Sequence, residues 1–145
     1  MDRFITRPVA ILAKEKGFDE VCQYLHCLEW SEDIGTITNM KYHRNSKINI
    51  KKADKNMYVT APTQSELQTW LRDNHNIFVD VQTDCTTYPK FCFTINQFIG
   101  NPKDLASEDW DWNPIPNDED WGLYSKYELA LEAGLKKGLN LIRIL

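Results

Sequence analysis

The sequence predicts a single α+β domain, residues 1–145, in which a small antiparallel sheet is covered mainly on one face by two or three helices. Composition supports one compact domain, because 145 residues with 42% hydrophobic and 26% charged side chains can bury a core of their own. Three segments combine helical spacing of apolar residues with signals for helix ends. Two runs rich in aromatic and β-branched residues stand between the second and third of these segments, as expected for a β-hairpin.

The first predicted helix runs from about Arg7 to Lys16. Thr6 is its candidate N-cap, and Pro8 is tolerated in the first turn, where a backbone N–H has no partner within the helix. Gly17 follows as a left-handed C-terminal stop, a conformation that suits glycine because it has no Cβ. The signals at both ends predict a short helix with defined limits.

Capping boxes predict the starts of the second and third helices. Each box places a hydroxyl three residues before a glutamate, so that each side chain can accept a hydrogen bond from the other residue's backbone N–H. The boxes are Thr63-Gln64-Ser65-Glu66 and Ser125-Lys126-Tyr127-Glu128. Apolar residues at helical spacing continue the second helix to residues 74–76 and the third to about Ile142.

Small residues at intervals of four give the third predicted helix a flat side: Ala130, Gly134 and Gly138. A flat side lets a helix approach a neighbouring backbone closely, and Lys136 and Lys137 exclude the membrane setting in which such patterns also occur. We therefore expect this side to pack on the sheet, and we expect Gly138→Leu to destabilise the fold.

Residues 77–82 and 91–95 predict the two strands of the hairpin. Pro89 takes the third position of the intervening turn, which suits a cis proline better than a trans one, so both isomers stay open. This register sets Cys85 opposite Cys92, where a disulfide is geometrically conceivable, although we expect two thiols in a reducing compartment. Further short runs predict strands at residues 21–28, 47–51 and 57–60.

Charge is distributed unevenly along the chain, whose formal net charge is −4. Residues 104–121 carry seven carboxylates, three tryptophans and no basic residue, whereas residues 41–55 carry six basic side chains and one acidic one. Opposite charges at two places can attract each other within one molecule, between two copies, or toward separate partners. We expect the acidic stretch to form a loop, residues 104–124, between the hairpin and the last helix.

Signals for export, membranes and metals are weak. The apolar stretch Pro8–Ala13 is too short for a signal-peptide core and runs directly into charged residues, so we expect a cytoplasmic protein without a membrane segment. The four cysteines lack C-x-x-C spacing and, with three scattered histidines, form no zinc template. We therefore predict no cofactor and no metal.

The acidic, tryptophan-rich segment is the main functional candidate. Repulsion among its carboxylates and its two prolines argues against regular structure, while its indoles argue against a solvated tail. Trp110 and Trp112 alternate around Asp111, so in an extended segment both indoles face one way. Such anchors within charged surroundings are typical of protein interfaces, although the indoles can also cover the protein's own core. The candidate partner-binding residues are Trp110, Asp111, Trp112, Asp118, Asp120 and Trp121.

A homodimer is one form of this interaction, with the acidic segment of one copy against the basic stretch of the other. Calcium is an alternative ligand, since the segment reproduces the oxygen spacing of a calcium loop at Asp109, Asp111, Asn113, Asn117 and Asp120. The sixth position of that loop requires a glycine, and here it is Pro114. We therefore favour a solvated or partner-facing segment.

Nucleic-acid binding is the alternative function. It uses the basic stretch, with Tyr42, His43 and Tyr58 as base-stacking candidates among Lys41, Arg44, Lys47, Lys51 and Lys52. Catalysis is not predicted, because adjacent His26 and Cys27 on a strand would face opposite sides, and His75 suits a helix C-terminus as a partly charged cap. We predict a non-enzymatic protein and regard nucleic acid as the less favoured partner.

Three segments resemble small uncharacterised proteins encoded by phages and mobile elements of gut Bacteroidetes: residues 61–77, 127–135 and 14–19. The resemblance implies an accessory role in which a host or phage protein is the partner, and it carries no catalytic residue or cofactor. The acidic segment lies outside the matching residues, so its function is predicted from its own composition.

Overall fold

The computed structural model of the chain describes residues 2–28, 37–46, 58–84, 90–99, 111–114 and 123–143, of which 37–42, 84, 98–99 and 111–114 are described by their backbone alone. The fold is α+β, as predicted. Its elements are α1 Arg7–Glu15, β1 Cys22–Cys27, β2 Ile37–His43, β3 Tyr58–Thr60, α2 Gln64–His75, β4 Ile77–Asp84, β5 Lys90–Ile99, β6 Asp111–Pro114 and α3 Tyr127–Asn140. They form two compact units, Met1–Leu67 with Arg143–Leu145 and Gln68–Ile142. The single domain stays a prediction.

The first unit is built on an antiparallel sheet of order β2-β1-β3. The pairing of β1 with β2 is irregular between Cys22 and Tyr24, beyond which it continues to His26. Helix α1 packs near β3. It ends as predicted, because Gly17 takes a φ of +94°, whereas Thr6 stands at the N-cap without a capping hydrogen bond from its side chain. The fully buried apolar residues include Ile5, Val9, Ala10, Ala13, Phe18, Leu25, Val59 and Leu67.

The second unit is built on an antiparallel sheet of order β4-β5-β6 with α3 packed on β4 and β5. The sequence predicted one sheet, and the described residues form two. The flat side of α3 does meet strands: a Cβ added at Gly134 would lie 2.6 Å from Val79 Cγ1, and one at Gly138 would lie 3.2 Å from Val79 Cγ2. The buried apolar residues here include Leu71, Ile77, Val79, Phe93, Ile95, Leu131, Leu135 and Leu139.

The predicted capping boxes have different outcomes. At α2 the box is complete: the Thr63 N–H donates to Glu66 Oε2 at 2.8 Å, and the Glu66 N–H donates to Thr63 Oγ1 at 3.2 Å. At α3 the N-cap is Lys126, without a side-chain capping hydrogen bond, so the prediction of Ser125 as the cap was wrong by one residue. The helix also ends at Asn140, two residues before its predicted limit.

The hairpin of β4 and β5 is confirmed, but its predicted register was wrong. Cys92 lies opposite Gln82, not Cys85, because the last pair of the ladder is Asp84 with Lys90, which leaves five connecting residues where the predicted turn at 87–90 leaves two. Cys92 is a free thiol. Cys85, Pro89 and the strand predicted at residues 47–51 lie outside the described residues. Among the residues that the structure describes, no helix is both long and apolar enough to cross a membrane.

Candidate functional site

The middle of the acidic, tryptophan-rich segment forms a strand of the second sheet. Asp111–Pro114 form β6, which pairs antiparallel with the last part of β5, with Asp111 opposite Ile99 and Trp112 opposite Phe98. The expectation that this segment lacks regular structure was therefore wrong for these four residues. Of the predicted partner-binding residues, Trp110, Asp118, Asp120 and Trp121 lie outside the described part of the chain.

Local chemistry explains why the strand forms where it does. β5 is ten residues long, and β4 pairs with one of its two edges, so the backbone groups on its other edge are open to a further strand. β6 is last in the strand order of the described sheet, and a proline is tolerated on such an edge because it has no N–H to donate to a further neighbour. The backbone hydrogen bonds outweigh the charge repulsion on which the prediction relied.

The chain returns to the same side of β5 after β6. Tyr124 and Phe91 each donate a backbone N–H to the other's carbonyl oxygen, both at 2.8 Å. An unbroken ladder from the pair of Asn96 and Pro114 would set Phe91 opposite residue 119. Phe91 instead pairs with Tyr124. The chain between the two anchors on β5, Pro114 and Tyr124, therefore has five residues more than an unbroken ladder requires. These anchors bracket residues 115–123, which include three of the predicted partner-binding residues.

Exposed apolar side chains lie at the second anchor. Leu123 is 44% exposed and Tyr127 is 45% exposed, values that are high for large hydrophobic residues. The Tyr127 ring contacts the Phe91 ring edge-to-face with centroids 6.1 Å apart, so it packs against the N-terminal end of β5. An apolar surface thus adjoins the anchored end of the acidic segment.

The structure describes only part of the basic stretch, namely the backbone of residues 41–42 and the residues 43–46. His43 is buried, which excludes it as a base-stacking residue, and the Arg44 guanidinium donates to the Asp19 carbonyl at 3.0 Å. The Asp19 carboxylate in turn accepts hydrogen bonds from the N–H and the hydroxyl of Ser46, at 2.7 and 2.6 Å. Lys41 lies in β2, and the other predicted contacts, Lys47, Lys51 and Lys52, lie outside the described residues. Arg44 is exposed, and this bond uses one of its nitrogens, Nη1.

The other two histidines are also parts of the packing. His26 is buried and its Nε2 lies 2.9 Å from the Ile5 carbonyl oxygen. His75 packs edge-to-face on Trp70 with centroids 4.6 Å apart, and burial lowers its pKa. His75 is the last residue of α2, as predicted, and its lowered pKa reduces the charge that the prediction set against the helix dipole.

A buried polar pair that the sequence analysis missed lies in the first unit. Cys22 on β1 and His43 on β2 are directly opposite each other in the ladder, and both are buried. Burial raises the pKa of the Cys22 thiol to about 12 and lowers the pKa of His43. The Thr60 hydroxyl offsets part of the change at Cys22, although Thr60 Oγ1 has no partner at hydrogen-bond geometry.

Calcium coordination by a loop is not compatible with the strand. Asp111, Asn113 and Pro114 stand at positions 3, 5 and 6 of the predicted loop, and an extended strand cannot make the sharp turn that position 6 requires. Asp109, Asn117 and Asp120 lie outside the described residues. Within the described ranges, no group of three or more histidine, cysteine or acidic side chains is placed to hold a metal ion.

Comparison with known proteins found no match: no protein-family model, no curated protein and no solved structure matches the chain.

Proposed function

We propose that this chain is a non-enzymatic protein-interaction or accessory protein, of phage or mobile-element origin and acting in the cytoplasm, whose partner surface is the acidic segment 104–124. The observation that carries the proposal is the double attachment of this segment to β5, at Asp111–Pro114 and at Tyr124. The origin rests on the resemblance of three other segments alone.

The attachment supports binding for an energetic reason. Ordering a free segment on a partner costs conformational entropy, and a segment held at defined points loses less of it. Tryptophans are the commonest anchors of interfaces, and three of them lie in this segment. The exposed Leu123 and Tyr127 extend the apolar area beside it.

Charge defines the chemistry of the partner. Seven carboxylates without a basic residue between 104 and 121 favour a basic surface, of a host or phage protein or of residues 41–55 in a second copy. Such a complex weakens as salt rises, because exposed charges are screened.

The test is a capture experiment from host lysate with the purified chain, comparing the parent with the double variant Trp110→Ala/Trp112→Ala. The proposal expects a partner that the parent retains and the variant loses, with weaker retention at high salt. The matched control is Val21→Ala/Leu129→Ala, which removes apolar side chains that are 43% and 45% exposed outside the segment. Equal retention by the parent and both double variants would refute the assignment of this surface.

Nucleic-acid binding through Lys41, Arg44, Lys47, Lys51 and Lys52 is the competing proposal. A titration with duplex DNA at two salt concentrations separates the two, because displacement of counterions makes phosphate binding fall steeply with salt. Binding at low salt that is lost in Lys51→Ala/Lys52→Ala would favour the basic stretch. A chain that shows no DNA binding at low salt leaves the protein-interaction function ahead.

A further inference from the structure

Two buried side chains of the first unit form a pair of potential metal donors. Cys22 is 2% exposed and His43 is 3% exposed, and their Cα atoms are partners in the β1–β2 ladder. Residues directly opposite on antiparallel strands present their side chains to the same face of the sheet, with Cβ atoms about 4.5–5.5 Å apart. The thiol and the imidazole therefore share one buried surface.

One of the two donors lacks the partners that buried polar groups normally have. Among the described residues, neither Nδ1 nor Nε2 of His43 has a hydrogen-bond partner. Cys22 is a free thiol that donates a hydrogen bond to the Glu20 carbonyl oxygen at 3.6 Å and interacts with the Thr60 hydroxyl. Buried polar atoms in native proteins are almost always paired, and an orphaned one is explained by a bound water, an ion or a chemical role.

We propose that Cys22 and His43 form a buried two-donor site for a soft monovalent metal ion, with Cu(I) as the reference ligand. Thiolate is the soft ligand that selects Cu(I), and imidazole also suits copper. Cu(I) accepts two donors nearly in line, whereas a structural zinc ion requires four.

Charge balance favours the same ion. A thiolate, a neutral imidazole and Cu(I) sum to zero charge, which a buried site accepts, whereas Zn²⁺ with one thiolate would leave a net positive charge in a medium of low dielectric constant. With metal–nitrogen and metal–sulfur bonds of about 2.0 and 2.3 Å, as at zinc, in-line coordination requires Sγ and a ring nitrogen about 4 Å apart. Side chains on opposed strand positions can reach that separation.

Binding is an exchange without electron transfer. Cu(I) arrives on a carrier ligand, the Sγ–H bond of Cys22 breaks, and the proton goes to solvent. Bonds from Cu(I) to Sγ of Cys22 and to one ring nitrogen of His43 form as the carrier ligand leaves. The oxidation state of copper is unchanged, and because binding releases a proton it becomes weaker as the pH falls.

The test uses the full chain under anaerobic conditions, with Cu(I) supplied as its coloured bicinchoninate complex. The parent is expected to withdraw one Cu(I) per chain, and Cys22→Ser and His43→Leu are each expected to lose at least tenfold in affinity. Cys27→Ser and Cys92→Ser are the controls, since both keep the pair and each removes another free thiol. Both controls should bind as the parent does.

A parent that leaves the coloured complex intact would overturn the proposal, as would unchanged binding by Cys22→Ser. Circular dichroism shows whether each variant folds. X-ray absorption of the copper-loaded parent gives a readout that needs no variant: one sulfur and one nitrogen neighbour support the site, and two sulfur neighbours assign the metal to a pair of thiols and refute it.

Discussion

The interiors of the two units differ in kind. In the second unit, α3 lies on the sheet through Gly134 and Gly138, which meet Val79 and Phe93, and the surroundings are aliphatic and aromatic. In the first unit the interior holds polar groups as well. Every buried polar side chain found among the described residues belongs to that unit: His26, His43, Thr60 and Gln64.

This difference separates two sources of stability. A close-packed apolar interior depends on volume, because any added atom must displace a neighbour. An interior with polar groups depends on whether each of them finds a partner. His26 has one in the Ile5 carbonyl, whereas His43 has none, so the first unit keeps a group that opposes its own stability.

Gly134→Leu tests the dependence on volume and should have the largest effect. The first added atom would lie 2.6 Å from Val79 Cγ1 and 3.0 Å from Phe93 Cβ, closer than real contacts allow. We expect the free energy of unfolding to fall by about 3 kcal/mol, although leucine favours helix more than glycine does. Urea unfolding followed by circular dichroism measures the change.

Two variants on the same helix calibrate that result. Gly138→Leu should destabilise less, because a Cβ there would meet Val79 Cγ2 at 3.2 Å and Leu71 Cδ1 at 3.3 Å, both farther than the 2.6 Å contact at Gly134. Lys136→Leu adds the same side chain at an exposed position and should stay within about 0.5 kcal/mol of the parent. If Gly134→Leu were as stable as Lys136→Leu, the close approach of α3 to the sheet would be wrong.

His43→Leu tests the polar interior and should act in the opposite direction. Removing a buried imidazole without a partner relieves a desolvation penalty, so we expect the metal-free protein to gain about 1 kcal/mol in its free energy of unfolding. Urea midpoints are measured with a chelator present. His26→Leu is the matched comparison, and it should lose stability because it leaves the Ile5 carbonyl without its partner. Losses of equal size in both variants would contradict the distinction.

Acidification should destabilise both units. Burial lowers the pKa of His43 and of His75, so the unfolded chain takes up protons first, from about pH 6.5 downward. Stability is therefore complete above pH 6.5 and falls as the pH drops from there toward the folded-state pKa values. Urea midpoints between pH 8 and 5 should decline less in His43→Leu, and also less in His75→Phe, which keeps the ring contact with Trp70. Slopes identical to that of the parent would place the titration elsewhere.

Local sequence signals predicted the elements that depend on local chemistry. The stop at Gly17, the capping box at Thr63 and the hairpin after Ile77 all follow from residues close together in the chain. The register of the hairpin was missed because the strands extend through polar residues, up to Asp84 and Lys90, where alternation gives no signal. β2 was missed for a related reason, since its lysine, asparagine and histidine were attributed to a basic surface.

Neither candidate site could be read from sequence order alone. β6 forms on the edge of β5 that β4 does not use, and composition does not reveal which strand edge is open. The pair of Cys22 and His43 depends on the register of two strands, with the two residues 21 positions apart in the chain and an irregular step after Cys22. One available signal was the β-prone run from Ile37 to Tyr42, which places His43 at the end of a strand.

The starts of α2 and α3 give the test with the smallest expected change in stability. Thr63→Ala removes the hydroxyl that accepts the Glu66 N–H and should lower the free energy of unfolding by about 1 kcal/mol. Ser125→Ala, at a sequence box of the same form, should change it by less than about 0.5 kcal/mol, because the N-cap of α3 is Lys126. Urea midpoints of the two variants decide the matter, and equal losses would mean that Ser125 caps α3 after all. A larger loss in Thr63→Ala than in Ser125→Ala would show that the four-residue pattern stabilises a helix only where the residue with the hydroxyl is the N-cap.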